Sequence, residues 1–518
     1  MGPRHRRRQN LGKRQRVMGP REEHWRRVCE DHLWDVVVVG GGATGLGIAL
    51  HLAAEGRKTL LVERDDYAKG TSSRSTKLIH GGVRYLQQGN VRMVKESLRE
   101  RGLLMKNAPH LVHDLAFVIP TYSWWRRWYY WLGLKVYDRL AGRLGLGKSR
   151  LLSVAETLAA LPNAQAAGLT GGVLYHDGQF DDAQLAVALS RTAAEAGATL
   201  VNHCSVVGWA HTSGQTTAAH LHNHLSGERQ TVRARQFINA TGPFVDALMA
   251  KDQPGHHRPL IRPSQGVHVV VDGHFLPGNT AMLIPRTDDG RVLFAVPWHG
   301  MAVLGTTDTE VPHATPEPTP LPAEIDFILT HTGRYLTRKP QEDDVRSVFA
   351  GIRPLAKAPS GTTAALSRDH TIVISPSGLL TIAGGKWTTY RKMAADVAKV
   401  VRKKLGDPPN RIDTKMLRLR GLNEPPFPAQ ASKLNPTELQ AAVQFAAAQT
   451  QCMTVEDFLA RRCRDLFLDV QAAIAIAPSV ARELAAAHHQ DEAWIARELA
   501  AFRTLTAQYL PPSILNPG

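Results

Sequence analysis

Regular patterning begins at Trp34-Asp-Val-Val-Val-Val-Gly-Gly-Gly-Ala-Thr-Gly-Leu-Gly47. Four consecutive valines predict a short strand buried on both faces, because β-branched side chains suit a sheet covered above and below. After the glycine turn, the apolar spacing of residues 48–56 predicts a helix ending at Gly56. A second apolar run over 58–62 ends at Glu63. Residues 91–115 predict a helix of mixed charge, and 177–196 predict another that leads into a strand over 199–202. A strand over 237–239 runs into the turn at Gly242. Between Gly266 and Asp308 the period changes: short apolar runs alternate with turns such as 287–290 and His299-Gly300, predicting antiparallel hairpins. A strand over 379–383, the Gly384-Gly385 turn and a helix from about Thr388 to Leu405 follow. Residues 423–436 read as a linker, and 437–501 carry helical periodicity.

This order predicts an α/β chain. It has a Rossmann-like βαβ domain, an antiparallel β-sheet domain inserted as a roof, and a small helical C-terminal domain. The predicted boundaries are a basic, disordered leader over 1–32, a two-sheet region over 33–420 and the helical domain over 421–518. Within the middle region, cofactor-binding parts are expected at about 33–120, 170–250 and 350–405, with the roof sheet at about 260–345.

The chemistry starts at Gly40, Gly42 and Gly45, which fit G-x-G-x-x-G. The first permits a tight turn, the second lets backbone approach a pyrophosphate, and the third lets helix and strand pack closely. Phosphates then sit on the free N–H groups at the helix start, where the helix dipole favours negative charge. Glu63 stands eighteen residues after Gly45, placed to accept the hydroxyls of an unphosphorylated adenosine ribose. That favours FAD or NAD over NADP. Residues 70–82 are too polar and glycine-broken for a core element. The hydroxyls of Thr71, Ser72 and Ser75 offer a cradle for a pyrophosphate or ribityl chain, and His80-Gly81-Gly82 lets backbone lie flat on a ring.

Composition alters this picture at two points. The 518 residues carry a formal charge of +17, of which residues 1–30 supply +7 from ten Lys or Arg against three Glu. That segment lacks the apolar core of a secretory signal and is expected to be a polybasic arm, with Met18 as an alternative start. No apolar run is expected to span a bilayer. Residues 124–131 interleave Trp and Tyr with Arg, which suits a segment lying in a membrane interface or a cap helix packing on its own domain. Four scattered cysteines suit a reducing compartment, and no histidine pattern indicates a metal.

The stretch from Gly70 to Leu86 resembles that of FAD-dependent, quinone-linked glycerol-3-phosphate dehydrogenases, members of the glycine- and amino-acid-oxidase-like flavoproteins. The resemblance continues in order through 239–243, 266–270, 305–308, 351–355, 367–369 and 384–391. It implies FAD as cofactor, held by Gly40, Gly42, Gly45, Glu63, Arg64, Thr71, Ser72, Ser75, Lys77, His80, Gly81, Gly82, Ala240, Thr241, Gly242, Gly385, Lys386, Thr388 and Thr389. The same motifs supply Arg84, Arg353, Arg368 and Lys386 as cations for a substrate phosphate, because guanidinium forks suit a dianion, with a place beside the flavin as the alternative for Lys386. Tyr85 is expected to donate a hydrogen bond to the substrate, His268 to act as base, and Arg353 to polarise the substrate oxygen.

The activity so implied is oxidation of sn-glycerol 3-phosphate to dihydroxyacetone phosphate. Electrons are expected to pass to a membrane quinone, and the protein, with a homodimer as one option, to lie on the anionic inner face of the cytoplasmic membrane. Two alternatives stand beside it. One is an amine or amino-acid oxidase of the same fold. The other is a nucleic-acid-binding flavoprotein, suggested by the charge, although no specific nucleic-acid partner is expected.

Overall fold

The computed structural model describes residues 18–82, 89–253, 255, 258–357, 370–421, 424 and 427–511. The four valines lie in the strand Leu33–Val39, with Val36, Val37 and Val38 fully buried. It pairs in parallel with Thr59–Val62 on one side and Arg229–Asn239 on the other. Thr199–Val201 and Leu380–Gly384 extend this parallel core to five strands. His370–Ile374 and the hairpin Cys204–Thr212/Gln215–Asn223 add antiparallel edges. The helices Ala43–Ala54, Asp182–Glu195 and Tyr390–Leu405 share one apolar core on this sheet.

The second sheet contains ten strands among the described residues. Its antiparallel centre is Ile261–Asp272, Met301–Gly305 and Leu293–Trp298. The predicted His299-Gly300 turn joins the last two, with φ of 50° and 83° as a two-residue hairpin requires. Val345–Ala356 pairs along nearly the whole of Ile261–Asp272. Thr280–Ile284 joins Val112–Thr121 in parallel, and Gly171–Phe180 pairs with the latter. The helical C-terminal residues bury an apolar core against Val270, Trp298, Val303 and Phe349, on one face of this sheet. Asn435 and Glu438 form a capping box that starts the first long helix there, Pro436–Thr450.

Several sequence expectations need correcting. Part of the supposed leader is the helix Arg21–Cys29, and Arg21 donates to the Asn202 carbonyl at 2.8 Å. Trp25 and Val28 pack under the first sheet. The helix expected over 91–115 stops at Asn107, and Val112–Thr121 is a strand of the roof. The helix expected from 177 starts at Asp182, capped by Asp181, because 171–180 pairs along Val112–Thr121. Period alone did not show these pairings, so the roof sheet draws in 112–121, 171–180 and 345–356 as well as 260–310. Val470–His488 is long and apolar enough by length and composition to cross a membrane, contrary to expectation. Here Val470, Ala473, Ala477, Val480, Ala481 and Leu484 pack into the C-terminal core. Residues 124–131 begin the helix Trp124–Ala141.

Candidate active site

Two cavities lie between the sheets and share Thr71, Pro354, Gly384, Gly385, Lys386 and Trp387. The first, of about 360 Å³, is lined by the glycine turn, by residues of 63–72 and by the turn at 240–244. Gly40 has φ of 110°, and a side chain there would run into the Ala240 carbonyl. A Cβ on Gly45 would stand 1.8 Å from the Gly40 oxygen, so the third glycine permits contact between turn and helix and does not itself line the cavity. Gly42, Ala43 and Thr44 present the start of the helix Ala43–Ala54 to the space. The Ser72 hydroxyl accepts the Ala43 N–H at 3.0 Å. The Glu63 carboxylate accepts from Gly41 N–H at 2.5 Å and Asp65 N–H at 2.9 Å. Burial and the neighbouring Asp65 push its pKa above the usual carboxylate range.

Arg64, Thr71, Ala240, Thr241 and Gly242 line the same space. Arg64 lies 5.1 Å from the Phe244 ring centroid. Asn239 accepts the Thr241 hydroxyl at 2.7 Å and donates to the Val245 carbonyl at 2.9 Å, which fixes the turn. This donor set fits a dinucleotide: main-chain N–H groups for phosphates, a carboxylate for ribose and an apolar wall.

The second cavity, of about 330 Å³, gathers residues from widely separated parts of the chain. Gly266 leaves room for the Arg353 guanidinium, and Gly305 leaves room for the His268 ring. Arg353 donates to the Thr306 hydroxyl at 2.9 Å and the Thr307 carbonyl at 2.9 Å, and it lies 3.3 Å from Asp308. His268 Nε2 lies 2.9 Å from the Thr76 hydroxyl, and the ring stacks on Phe349 at 4.8 Å. Among the described residues its Nδ1 has no hydrogen-bond partner. Burial, then Lys77 and Arg353, hold the imidazole pKa well below 6.5, so the ring is neutral at ordinary pH. His80, Gly82, Gly385, Lys386 and Thr388 also line this chamber.

Other expected residues stand elsewhere. Lys77 is fully buried away from both cavities, where it donates to the Asp182 carboxylate at 2.8 Å and the Ser73 carbonyl at 2.7 Å. The Trp298, Phe349 and Phe467 rings surround its ammonium. Burial lowers its pKa to about 8 despite the Asp182 charge. A buried ammonium takes the nearest carboxylate, so it is not a cofactor ligand here. Ser75 faces the chamber but spends its hydroxyl on Asp182 at 2.7 Å. Gly81 is turned away, its N–H donating to the Tyr137 hydroxyl at 2.8 Å. Thr389 sits behind Thr388 as the N-cap residue of the helix Tyr390–Leu405. Arg84, Tyr85 and Arg368 lie outside the described residues.

Sequence reasoning missed several chamber residues. Asp177 reaches it while bound to Arg101 and Tyr137, each at 2.7 Å. Arg74, Arg291 and Tyr130 complete its wall. Thr306, Thr307 and Asp308 belong to a motif already noted, so a signal existed for them; Arg291 and Asp177 carried none.

A dinucleotide cradle opening into a chamber of neutral imidazole and guanidinium is the arrangement of a cofactor-dependent oxidoreductase. Comparison with known proteins refines that class. Residues 35–391 match the family described as FAD dependent oxidoreductase, and residues 414–494 match the C-terminal domain of alpha-glycerophosphate oxidase. The mitochondrial glycerol-3-phosphate dehydrogenase of Macaca fascicularis is 46% identical over 379 residues, covering 70% of this chain and 52% of that protein. The chain thus spans about half the length of several curated relatives that it matches. The mitochondrial glycerol-3-phosphate dehydrogenase of Arabidopsis thaliana is 37% identical over 533 residues, covering 90% of this chain and 84% of that protein. Among solved structures, the Bacillus halodurans glycerol-3-phosphate dehydrogenase complexed with FAD has a TM-score of 0.76 at 26% identity, covering 96% of this chain and 99% of that one. The chain belongs to the FAD dependent oxidoreductase family, in its glycerol-3-phosphate dehydrogenase group, and its cofactor is FAD.

Proposed function

We propose that the chain oxidises sn-glycerol 3-phosphate to dihydroxyacetone phosphate. The observation that carries this reading is the second chamber, where Arg353, Lys386 and neutral His268 meet beside the shared wall of the cofactor cavity. Bound FAD supplies the hydride acceptor for the secondary alcohol. Gly40, Gly42, Glu63, Thr71, Ser72, Thr241 and Gly385 are positioned to hold it. His268, kept neutral, takes the substrate hydroxyl proton at the nitrogen that faces Thr76. Arg353 steadies the oxygen as negative charge grows on it, and its own ties to Thr306, Thr307 and Asp308 keep the guanidinium in place. Lys386, with Arg84 and Arg368, neutralises the phosphate, and Tyr85 donates to the substrate.

The onward acceptor in this reading is a membrane quinone, reached from a protein lying on an anionic bilayer surface. The helix Trp124–Ala141 supports it: Trp124 is 71% exposed, and Trp125, Trp128, Tyr129 and Leu132 share the outward face with arginines. Tyr130, on the same helix, lines the chamber. Anionic vesicles are expected to sediment the protein, and Trp125→Ala with Trp128→Ala to weaken that.

The deciding experiment is anaerobic titration of the yellow holoprotein. Bleaching by glycerol 3-phosphate, and by none of glycine, sarcosine or a D-amino acid, is the expected outcome. Bleaching by an amine alone moves the assignment to the oxidase branch of the fold.

A further inference from the structure

The segment 63–77 forms a wall of both cavities: Asp65, Lys69 and Ser72 face the first, Thr76 the second, and Thr71 both. Its regular structure is slight, a 3₁₀ turn at Thr71–Ser73 and a two-residue strand beginning at Leu78. It is tied to Asn202, Ala350, Ile352 and Trp387, and a further set of contacts comes from 384 or more residues away in sequence. Asp66 is fully buried and accepts Arg461 Nε at 2.6 Å and Arg462 Nη1 and Nη2 at 2.5 and 3.0 Å. The Tyr67 hydroxyl donates to Gln451 Oε1 at 2.8 Å. Arg464 Nη2 donates to the Ser73 carbonyl at 3.2 Å and to Asp182 at 3.0 Å, the carboxylate that also holds Ser75 and Lys77. Gln451, Arg461, Arg462 and Arg464 line neither cavity.

Arg461, Arg462 and Arg464 are 2%, 0% and 0% exposed. They stand at the end of the π-helical turn Phe458–Arg462 and just beyond it. Removing each guanidinium from water costs several kcal/mol, recovered only by well-formed partners. Inside the C-terminal unit Arg461 donates to Glu456 and Asp457, each at 2.8 Å, Arg462 to the Thr450 hydroxyl at 2.9 Å and carbonyl at 2.8 Å, and Arg464 to the Ala460 carbonyl at 2.5 Å; all three also reach the 63–77 segment or its anchor Asp182. Their placement therefore ties that segment to the helices that carry them.

We propose that the C-terminal unit is a clamp on the cofactor loop: Arg462, with Arg461 and Arg464, holds residues 63–77 in the shape that retains FAD, from outside the cavity. Arg462 is thus a positioning residue. This rests on FAD as the cofactor and is independent of which alcohol or amine is oxidised.

The test uses the full-length holoprotein. FAD release is followed by the rise of free-flavin fluorescence after dilution, and thermal unfolding of the FAD-free chain is measured beside it. Arg462→Gln is expected to speed release at least tenfold, Arg462→Lys to restore part of that, and the exposed Arg482→Gln to change nothing. Tyr67→Phe, which deletes a single hydroxyl, is expected to speed release about threefold and serves if Arg462→Gln does not fold. A lower unfolding midpoint with release within twofold of the parent in both Arg462→Lys and Tyr67→Phe would overturn the proposal, leaving these groups with a purely structural role.

Discussion

The two cavities share a wall and differ in how they are made. The first is lined by short runs of the chain: residues within 39–44, 63–72 and 240–244 supply most of its lining. The second gathers single residues from separate parts of the chain: His268 and Arg353 from two paired strands, and Thr76, Asp308 and Lys386 from three different connections. A phosphate cradle needs main-chain N–H groups in a tight turn, and a turn is local by construction. A base and a charge-stabilising cation need positions around a reacting atom, which only strands brought together by a sheet can provide.

Substitutions can break or sharpen that contrast. The largest effect is expected from Gly45→Ala, whose Cβ would meet the Gly40 oxygen with backbone on both sides. It should lose the flavin absorbance altogether and lower the urea midpoint by an amount equivalent to about 3 kcal/mol. His268→Gln should retain FAD yet lower kcat/KM by roughly 10²–10⁴-fold. The loss should be nearly uniform between pH 6 and 8, because the ring does not titrate there in the folded protein. The same residue has a stability signature. Its folded pKa is depressed, so below about pH 6.5 the unfolded chain takes up a proton that the buried ring refuses. Stability contributed by neutral His268 is therefore present above that pH and is lost as pH falls; urea unfolding at pH 7 and 5 should show a smaller acid loss in His268→Gln.

Arg353→Lys keeps the charge but not the fork that reaches Thr306, Thr307 and Asp308, so kcat/KM should fall about 10²-fold with flavin content unchanged. Loss of FAD from this variant would break the division between the two cavities. Glu63→Gln should have the smallest effect, weakening FAD binding about tenfold, or about 1.4 kcal/mol, with kcat at saturating FAD unaltered. An equal fall in kcat would mean that Glu63 shapes the chamber as well as the cradle.

Legibility followed the same division. Gly40, Gly42, Gly45 and Glu63 could be assigned from spacing because strand, turn and helix follow one another without interruption. The hairpin at His299-Gly300 was equally open to reading, its turn chemistry being local. Lys77 misled because a lysine in a polar motif looks like a phosphate ligand until Asp182 and three aromatic rings are brought around it. The strand Val112–Thr121 was hidden for a related reason: its pairing partners are Gly171–Phe180 and Thr280–Ile284, and neither is a neighbour in sequence.

Sequence alone determined the dinucleotide turn, the acid that follows it, the change to antiparallel hairpins and the helical C-terminal end, since each depends on periodicity or turn chemistry within a few residues. Tertiary structure alone decided which strands complete the roof, that Gly266 and Gly305 make room for Arg353 and His268, and that Asp66 meets Arg461 and Arg462. Those contacts join residues tens to hundreds of positions apart. The desolvation that neutralises His268 and makes the buried arginines depend on their partners arises only once the elements have packed around them.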